Sequence, residues 1–427
     1  MKKYIKLLVV LGILLVGSFS FYLFKGSKKD TLVYDSNKVK TTSSGIAMML
    51  ETVAGSGNYE MTTRSEWPTE GYVFNANLSK CENGSELSWD NENKKVLMSG
   101  NKSDKCYVYF DVYVKTQVLL ADYVKSLYVS NNGENGIYYH DSSLANGAGD
   151  NSYRFAGASD QVNNYVCFGS NEALCPEDNL YRIIGVFGDK VKLIKSDYAT
   201  STLLGADGDY SKMYTANGWD NSSYKGNNLA NIAGYTWNYK NNTSINSGYG
   251  SNTWSTSLLN KTNLNKNFIT NIGDDWANKI DTTTWKVGGN TWANIGTQPA
   301  KTAYQNEIVN PVTTNATDNA TTYSAKVGLM YASDYGFAAA PSAWTANLNT
   351  YNGEAIKNVN WMYMGLYEWT LSRRADLAYS VFSVDIIGVV RSTYAYGALA
   401  LRPVFNLSSS VNYVSGSGSA TDPITIN

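Results

Sequence analysis

The chain has 427 residues, a formal net charge of −1 and only 17% charged residues. That length leaves room for two or three domains, and so balanced a charge argues against nucleic acid or an anionic lipid surface as a partner. With 33 tyrosines, 36 glycines and 7 prolines beside abundant Asn, Ser and Thr, the composition favours β structure with long polar loops. The same mixture serves adaptable binding surfaces, and it equally fits a plain tyrosine-rich secreted β protein.

Residues 1–6 are positively charged and residues 7–24 form an apolar run without charge. At about 1.5 Å per residue the run spans ~27 Å, close to a hydrocarbon core. Lys25, Lys28 and Lys29 follow, so flanking charge decides little about orientation. A cleaved signal peptide is the alternative, with residues 7–16 as its apolar region and Ser18-Phe19-Ser20 as its cleavage site. Residues 21–24 stay apolar beyond that site, which favours an uncleaved signal anchor (residues 1–29) in the cytoplasmic membrane. The chain is exported under either reading. A stem over residues 30–44 follows.

The spacing predicts a short helix over residues 44–53, ended by Gly55-Ser56-Gly57. Strand-like runs at 71–74, 86–89, 95–98 and 106–113 are separated by Asn/Gly/Asp turns. They read as a small β domain over residues 45–114. Cys81 with Cys106, and Cys167 with Cys175, are local pairs in an exported chain, which predicts two disulfides. A zinc site is the alternative, but no CxxC spacing occurs and His140 is the sole histidine. A bridge closing ~25 residues contributes about 3 kcal/mol by loop entropy.

Apolar residues at spacings of three and four predict a helix over 117–128, within a linking helix and connector at 115–149. Residues 180–186 and 191–194 read as a hairpin, 197–250 as long polar loops, and 254–260 and 265–279 as helices. Residues 310–322 are a Thr/Asn loop.

Chemistry-bearing groups are sparse. His140 adjoins Asp141, but neighbours in an extended segment point to opposite sides, and no serine sits in a nucleophile elbow. Glycoside hydrolysis needs two carboxylates facing each other at about 5–9.5 Å. The best isolated acids are Asp274-Asp275, Asp334 and Glu368. Glu368, between Tyr367 and Trp369, fits either a carboxyl with a burial-raised pKa or a hydrogen-bonded anchor. No catalytic residue, metal or cofactor is expected.

The most patterned stretch is the last. Trp361, Glu368-Trp369-Thr370 and Leu401-Arg402-Pro403-Val404-Phe405-Asn406-Leu407 frame a segment, about residues 373–400, that alternates loosely. This frame resembles the C-terminal half of bacterial surface proteins with a C-type-lectin-like fold. That group includes the formylglycine-generating-enzyme-like lectin folds and the variable proteins of diversity-generating retroelements. Residues 179–186 with 191–194 resemble its opening hairpin, 254–260 its helix, and 326–330 with 333–335 its mid-domain strand. Ala400-Leu401-Arg402-Pro403 departs from the usual Gly-Val-Arg-Pro phrase.

The resemblance implies an α+β, C-type-lectin-like domain over residues 150–427 that binds a ligand rather than transforming one. Trp361, Glu368, Trp369, Arg402 and Pro403 would be its structural frame. Arg373, Arg374, Asp376, Tyr379, Phe382, Asp385, Arg391, Tyr394 and Tyr396 would be its contact surface, alternating with the inward Val381, Val384, Val389 and Val390. The chain has no cysteine after Cys175, so it lacks the late redox pair of the formylglycine-generating enzymes. It also lacks the Glu-Pro-Asn and Trp-Asn-Asp strings of calcium-dependent sugar sites, Trp219-Asp220 being the nearest approach. The expected protein is a membrane-anchored surface protein that binds an extracellular protein or glycan. An extracellular carbohydrate-active enzyme and an envelope or pilus-like subunit are the alternatives.

Overall fold

The computed structural model describes residues 45–427 apart from 63, 65, 69, 102, 114–116, 214–223, 243–244 and 313–319. The expected anchor and stem, and Trp219-Asp220, lie outside the described residues. Among the described residues no helix is long and apolar enough to cross a membrane. The architecture is mixed α/β, mostly sheet with short helices, and divides into two compact units at Thr116/Gln117.

In the first unit Ile46–Glu51, expected as a helix, is a strand. Its buried residues Ile46, Met48 and Leu50 recur every second position, and a run this short fits either period. What decides is the partner: Ile46–Glu51 pairs in parallel with Cys106–Val112, burying Met48 beside Val108 and Phe110. Tyr59–Met61, Tyr72–Phe74 and Lys80–Cys81 complete this sheet, while Glu86–Asp90 and Lys95–Ser99 form a hairpin. The core is aromatic, with Trp89 edge-on to Phe110 at 5.4 Å. Cys81 and Cys106 are direct cross-strand partners with Cα atoms 3.9 Å apart, and they form a disulfide.

The second unit begins earlier than residue 150. Leu120–Ser126 is a helix whose Leu120, Ala121 and Val124 enter the main core, and Val118–Leu119 pairs with Asn412–Ser415 near the C-terminus. Residues 117–149 therefore belong to this unit and do not form a connector. Its main sheet runs, in spatial order, Val327–Gly328, Val404–Asn406, Lys190–Lys195, Leu180–Phe187, Ser152–Phe155, Ile137–His140, with Tyr165–Cys167 also against Leu180–Phe187. The central hairpin carries a bulge between Ile183 and Gly185. A Cβ on Gly185 would stand 2.2 Å from the Tyr153 carbonyl oxygen, so only glycine lets the neighbouring strand close. The second predicted disulfide, Cys167–Cys175, is present.

The second sheet is ordered Gly289–Asn290, Glu368–Arg374, Ser380–Val384, Val390–Tyr394. Three buried indoles tie connecting segments to the sheets: Trp369 Nε1 donates to Tyr235 O (2.8 Å) and Trp237 Nε1 to Thr370 O (3.0 Å) at the second sheet, and Trp361 Nε1 to Phe155 O (2.8 Å) at the main sheet. Each keeps a polar handle satisfied while burying a large apolar body. The helix expected over residues 265–279 is split at Gly273, whose φ of 82° ends Ile269–Ile272 before Asp274–Ala277. A π-helical stretch, Leu259–Phe268, precedes it. The polar stretch 197–250 contains a short helix, Ser201–Leu204, and a two-stranded ladder of Tyr210–Met213 with Ala233–Tyr235.

Candidate functional site

The frame residues converge in the interior. Trp361, Glu368, Trp369, Arg402 and Pro403 are all buried. Arg402 Nε donates to Glu368 Oε1 (2.8 Å), while Nη2 donates to Glu368 Oε2 (2.9 Å) and to Met362 O (2.7 Å). This is a bidentate fork matching a planar carboxylate. Burial raises the Glu368 carboxyl against the opposing pull of Arg402. Pro403 lends its carbonyl to Lys195 N (3.1 Å), fastening the frame to the central hairpin.

The segment between the frame ends divides in two. Arg373, Phe382 and Asp385 are buried, contrary to their expected place on a contact surface. Ser380–Val384 is a central strand, flanked by Glu368–Arg374 and Val390–Tyr394, and every one of its residues is buried. Phe382 stacks on Trp292 at 5.9 Å. Asp385 accepts the Ile387 and Val389 amides (3.0 and 2.9 Å) and pairs with Arg391, so it organises a turn. Val381, Val384, Val389 and Val390 are inward as expected. Arg374 forks onto Asp376 and reaches Ser392 Oγ at 3.2 Å.

Tyr394 and Tyr396 are exposed and Tyr379 is half-buried, and around them stand aromatic partners the sequence pattern does not single out. Tyr249 stands 4.8 Å from Tyr394, 5.3 Å from Tyr379 and 5.8 Å from Tyr396, ring centre to ring centre, and Tyr239 stands 6.0 Å from Tyr396. Five rings thus form one continuous platform. Tyr249, Tyr394 and Tyr396 remain 40%, 43% and 44% exposed.

The backbone beneath this platform is pinned. Ala395 is fully buried between the two exposed tyrosines, donates its N–H to Tyr379 O (2.9 Å) and accepts from Trp237 N (2.9 Å). A tight turn, Gly397 N to Tyr394 O, closes the strand end. Asn252 Nδ2 donates to the carbonyls of Arg374, Leu377 and Ser380 (2.6, 3.1 and 3.0 Å), which fixes the loop carrying Tyr379. Rigid tyrosines with few rotors expose large amphipathic area at low entropic cost, as binding loops do.

The acids weighed for catalysis are engaged elsewhere. Asp334 accepts Tyr331 N (3.0 Å) and pairs with Lys192 and, at 3.5 Å, with Arg154. Beside it lies Glu307, missed by sequence reasoning because Gln305-Asn306-Glu307 carries no motif. It is buried, accepts Ser333 N (2.8 Å) and the Ser372 hydroxyl, and burial raises its carboxyl to about 7. Asp274 and Asp275 are exposed neighbours on a one-turn helix. His140 is buried, accepts Ala148 N at Nδ1 (3.1 Å) and stands edge-on to Phe337; burial holds its pKa well below the usual value. Asp141 is spent on Ser143 and Leu144 amides. Asp104 lies beside Cys81 and Cys106, but both sulfurs are in the disulfide and offer no thiolate to a metal.

The chain matches no family model, no curated protein and no solved structure in the three comparisons made.

Proposed function

We propose that the protein is an exported surface protein, anchored through residues 7–24, whose second unit is a C-type-lectin-like module that binds an extracellular protein or glycan. The observation that carries the reading is the platform of Tyr239, Tyr249, Tyr379, Tyr394 and Tyr396. Leaving three large rings in water forgoes the burial that would stabilise the fold, while their supporting backbone is held by buried hydrogen bonds. Such a combination suits contact with a partner better than it suits the fold itself. The bidentate Glu368–Arg402 pair fits the role of frame, since it ties Glu368–Arg374 of the second sheet to the segment that leads into Val404–Asn406 of the main sheet.

Arrays of glycans and of extracellular proteins, probed with the full chain in detergent, test this reading. The wild type is expected to retain a defined subset, and Tyr249→Ala/Tyr394→Ala to lose it. Retention of the same subset by the double variant would remove the platform from the account.

A further inference from the structure

We propose that the second unit carries another ligand site, a polar cleft anchored by Lys195 that takes a neutral, polyhydroxylated ligand of the oligosaccharide class. The cleft measures about 860 Å³, within the range of small-ligand sites. It opens beside the end of the central hairpin, against Ser201–Leu204 and the turn Leu229–Asn231.

Lys195 is its distinctive feature. Only 2% of the residue is exposed, yet its Nζ has no hydrogen bond or ion pair with any described residue. The other lysines of the same strand are paired, Lys190 with Asp281 and Lys192 with Asp334. The base of Lys195 is rigid: it is the register partner of Tyr181, and its N–H donates to Pro403 O. Burial lowers its pKa, against the attraction of Asp178 and Asp197. Lys195 lines the cleft and its ammonium is not among the buried polar atoms left without a partner, so it is the cleft's solvent, and no protein acceptor, that satisfies it. An acceptor brought into the cleft would take that solvent's place.

The walls select the ligand. Asp178 and Asp197 line the cleft and disfavour an anion, although Asp197 is itself engaged by the Tyr224 hydroxyl (2.9 Å) and Asn227 N (2.8 Å). An apolar ligand would bury Lys195 with no acceptor. An extended peptide would need a free strand edge, and both hairpin strands here are already paired on each side. Asn228, Asn231 and Thr202 instead present side chains that donate and accept, as sugar hydroxyls do. A second cleft of about 480 Å³ shares Glu177, Asp197 and Asn227 with the first, giving room for more than one ring.

The test reads Lys195 directly and does not depend on the tyrosine platform. The full-length chain, in detergent, is mixed with neutral tetrasaccharides built on glucose, xylose, mannose and N-acetylglucosamine, with uronic-acid tetrasaccharides, and with extended decapeptides. Amine acetylation at Lys195 is followed by mass spectrometry and affinity by calorimetry. A neutral tetrasaccharide is expected to slow acetylation of Lys195 at least fivefold. Lys195→Met is expected to weaken that sugar at least tenfold while the melting temperature stays level or rises. Equal binding by Lys195→Met, protection by peptides or acidic sugars only, or no protection by any neutral sugar would overturn the proposal. Footprinting on the wild type keeps the test valid should Lys195→Met fail to fold.

Discussion

Removing Arg402 should unlock the frame, and the size of the effect follows from its surroundings. Arg402→Ala leaves the Glu368 carboxylate buried with neither of its charge-assisted bonds and strands Met362 O as well. Breaking a buried pair by removing one partner costs about 3–5 kcal/mol. For the 311 residues of a unit spanning 117–427, an unfolding entropy of about 2 cal/mol/K per residue turns this into a fall in Tm of roughly 5–8 °C. Glu368→Leu/Arg402→Met removes both charges with similar bulk and should cost less than either single change. The pair also has a pH signature. Burial already raises the Glu368 carboxyl and Arg402 opposes it; without Arg402 the carboxyl rises further and is protonated in mild acid. The deficit of Arg402→Ala should therefore be smaller at pH 5 than at pH 8. Urea and thermal melts of the wild type, both single variants and the double variant at the two pH values provide the measurement. A loss under 1 kcal/mol, a double variant worse than both singles, or a deficit independent of pH would refute the reasoning.

Glu307, raised to about 7 by burial, contributes stability that is fully present below about pH 4.5 and lost as pH rises through 7, worth on the order of 3 kcal/mol. Glu307→Gln should abolish that decline between pH 5 and 8 in urea midpoints. His140, held neutral by burial, gives the opposite slope: stability is present above its unfolded value near pH 6.5 and lost as pH falls below it, so His140→Gln should flatten the acid limb. Cys81→Ser/Cys106→Ser should lower the first unit's stability by about 3 kcal/mol in calorimetry and leave the second unit's transition in place. Arg391→Ala should cost about 1 kcal/mol, because it removes the partner of buried Asp385 while the Ile387 and Val389 amides remain.

The sequence was most legible where the signal is local. Two short β-branched, apolar-rich runs, Leu180–Phe187 and Lys190–Lys195, separated by Gly188-Asp189 read as a hairpin, and cysteines 8 and 25 residues apart could pair without long-range information. The buried character of Arg402 was readable from its apolar neighbours, but its partner was not, since Glu368 lies 34 positions away. Ile46–Glu51 was misread because six residues satisfy a helical and a strand period equally well. The segment 373–400 was read as one outward and one inward face. That reading failed at Arg373, Phe382 and Asp385 because Ser380–Val384 is a central strand covered on both faces, a fact fixed by its neighbours rather than by its own alternation. Tyr239 and Tyr249 sit in a polar stretch without periodicity, and only the fold brings them to Tyr379, Tyr394 and Tyr396. Lys195 is one of three lysines in its strand, and nothing in the pattern marks it as the one without a partner.

The binding role of the tyrosine platform is tested most directly by one ratio. It is the Kd of Tyr249→Ala/Tyr394→Ala over that of the wild type, for the ligand the arrays identify, with the Tm of both proteins measured alongside. Two tyrosines at the centre of a contact contribute about 1–2 kcal/mol each, so the account predicts a ratio of roughly 30 or more with Tm changed by less than about 2 °C. A ratio near one, or a double variant that melts as early as Arg402→Ala, would show the tyrosines to be part of the fold and would contradict it.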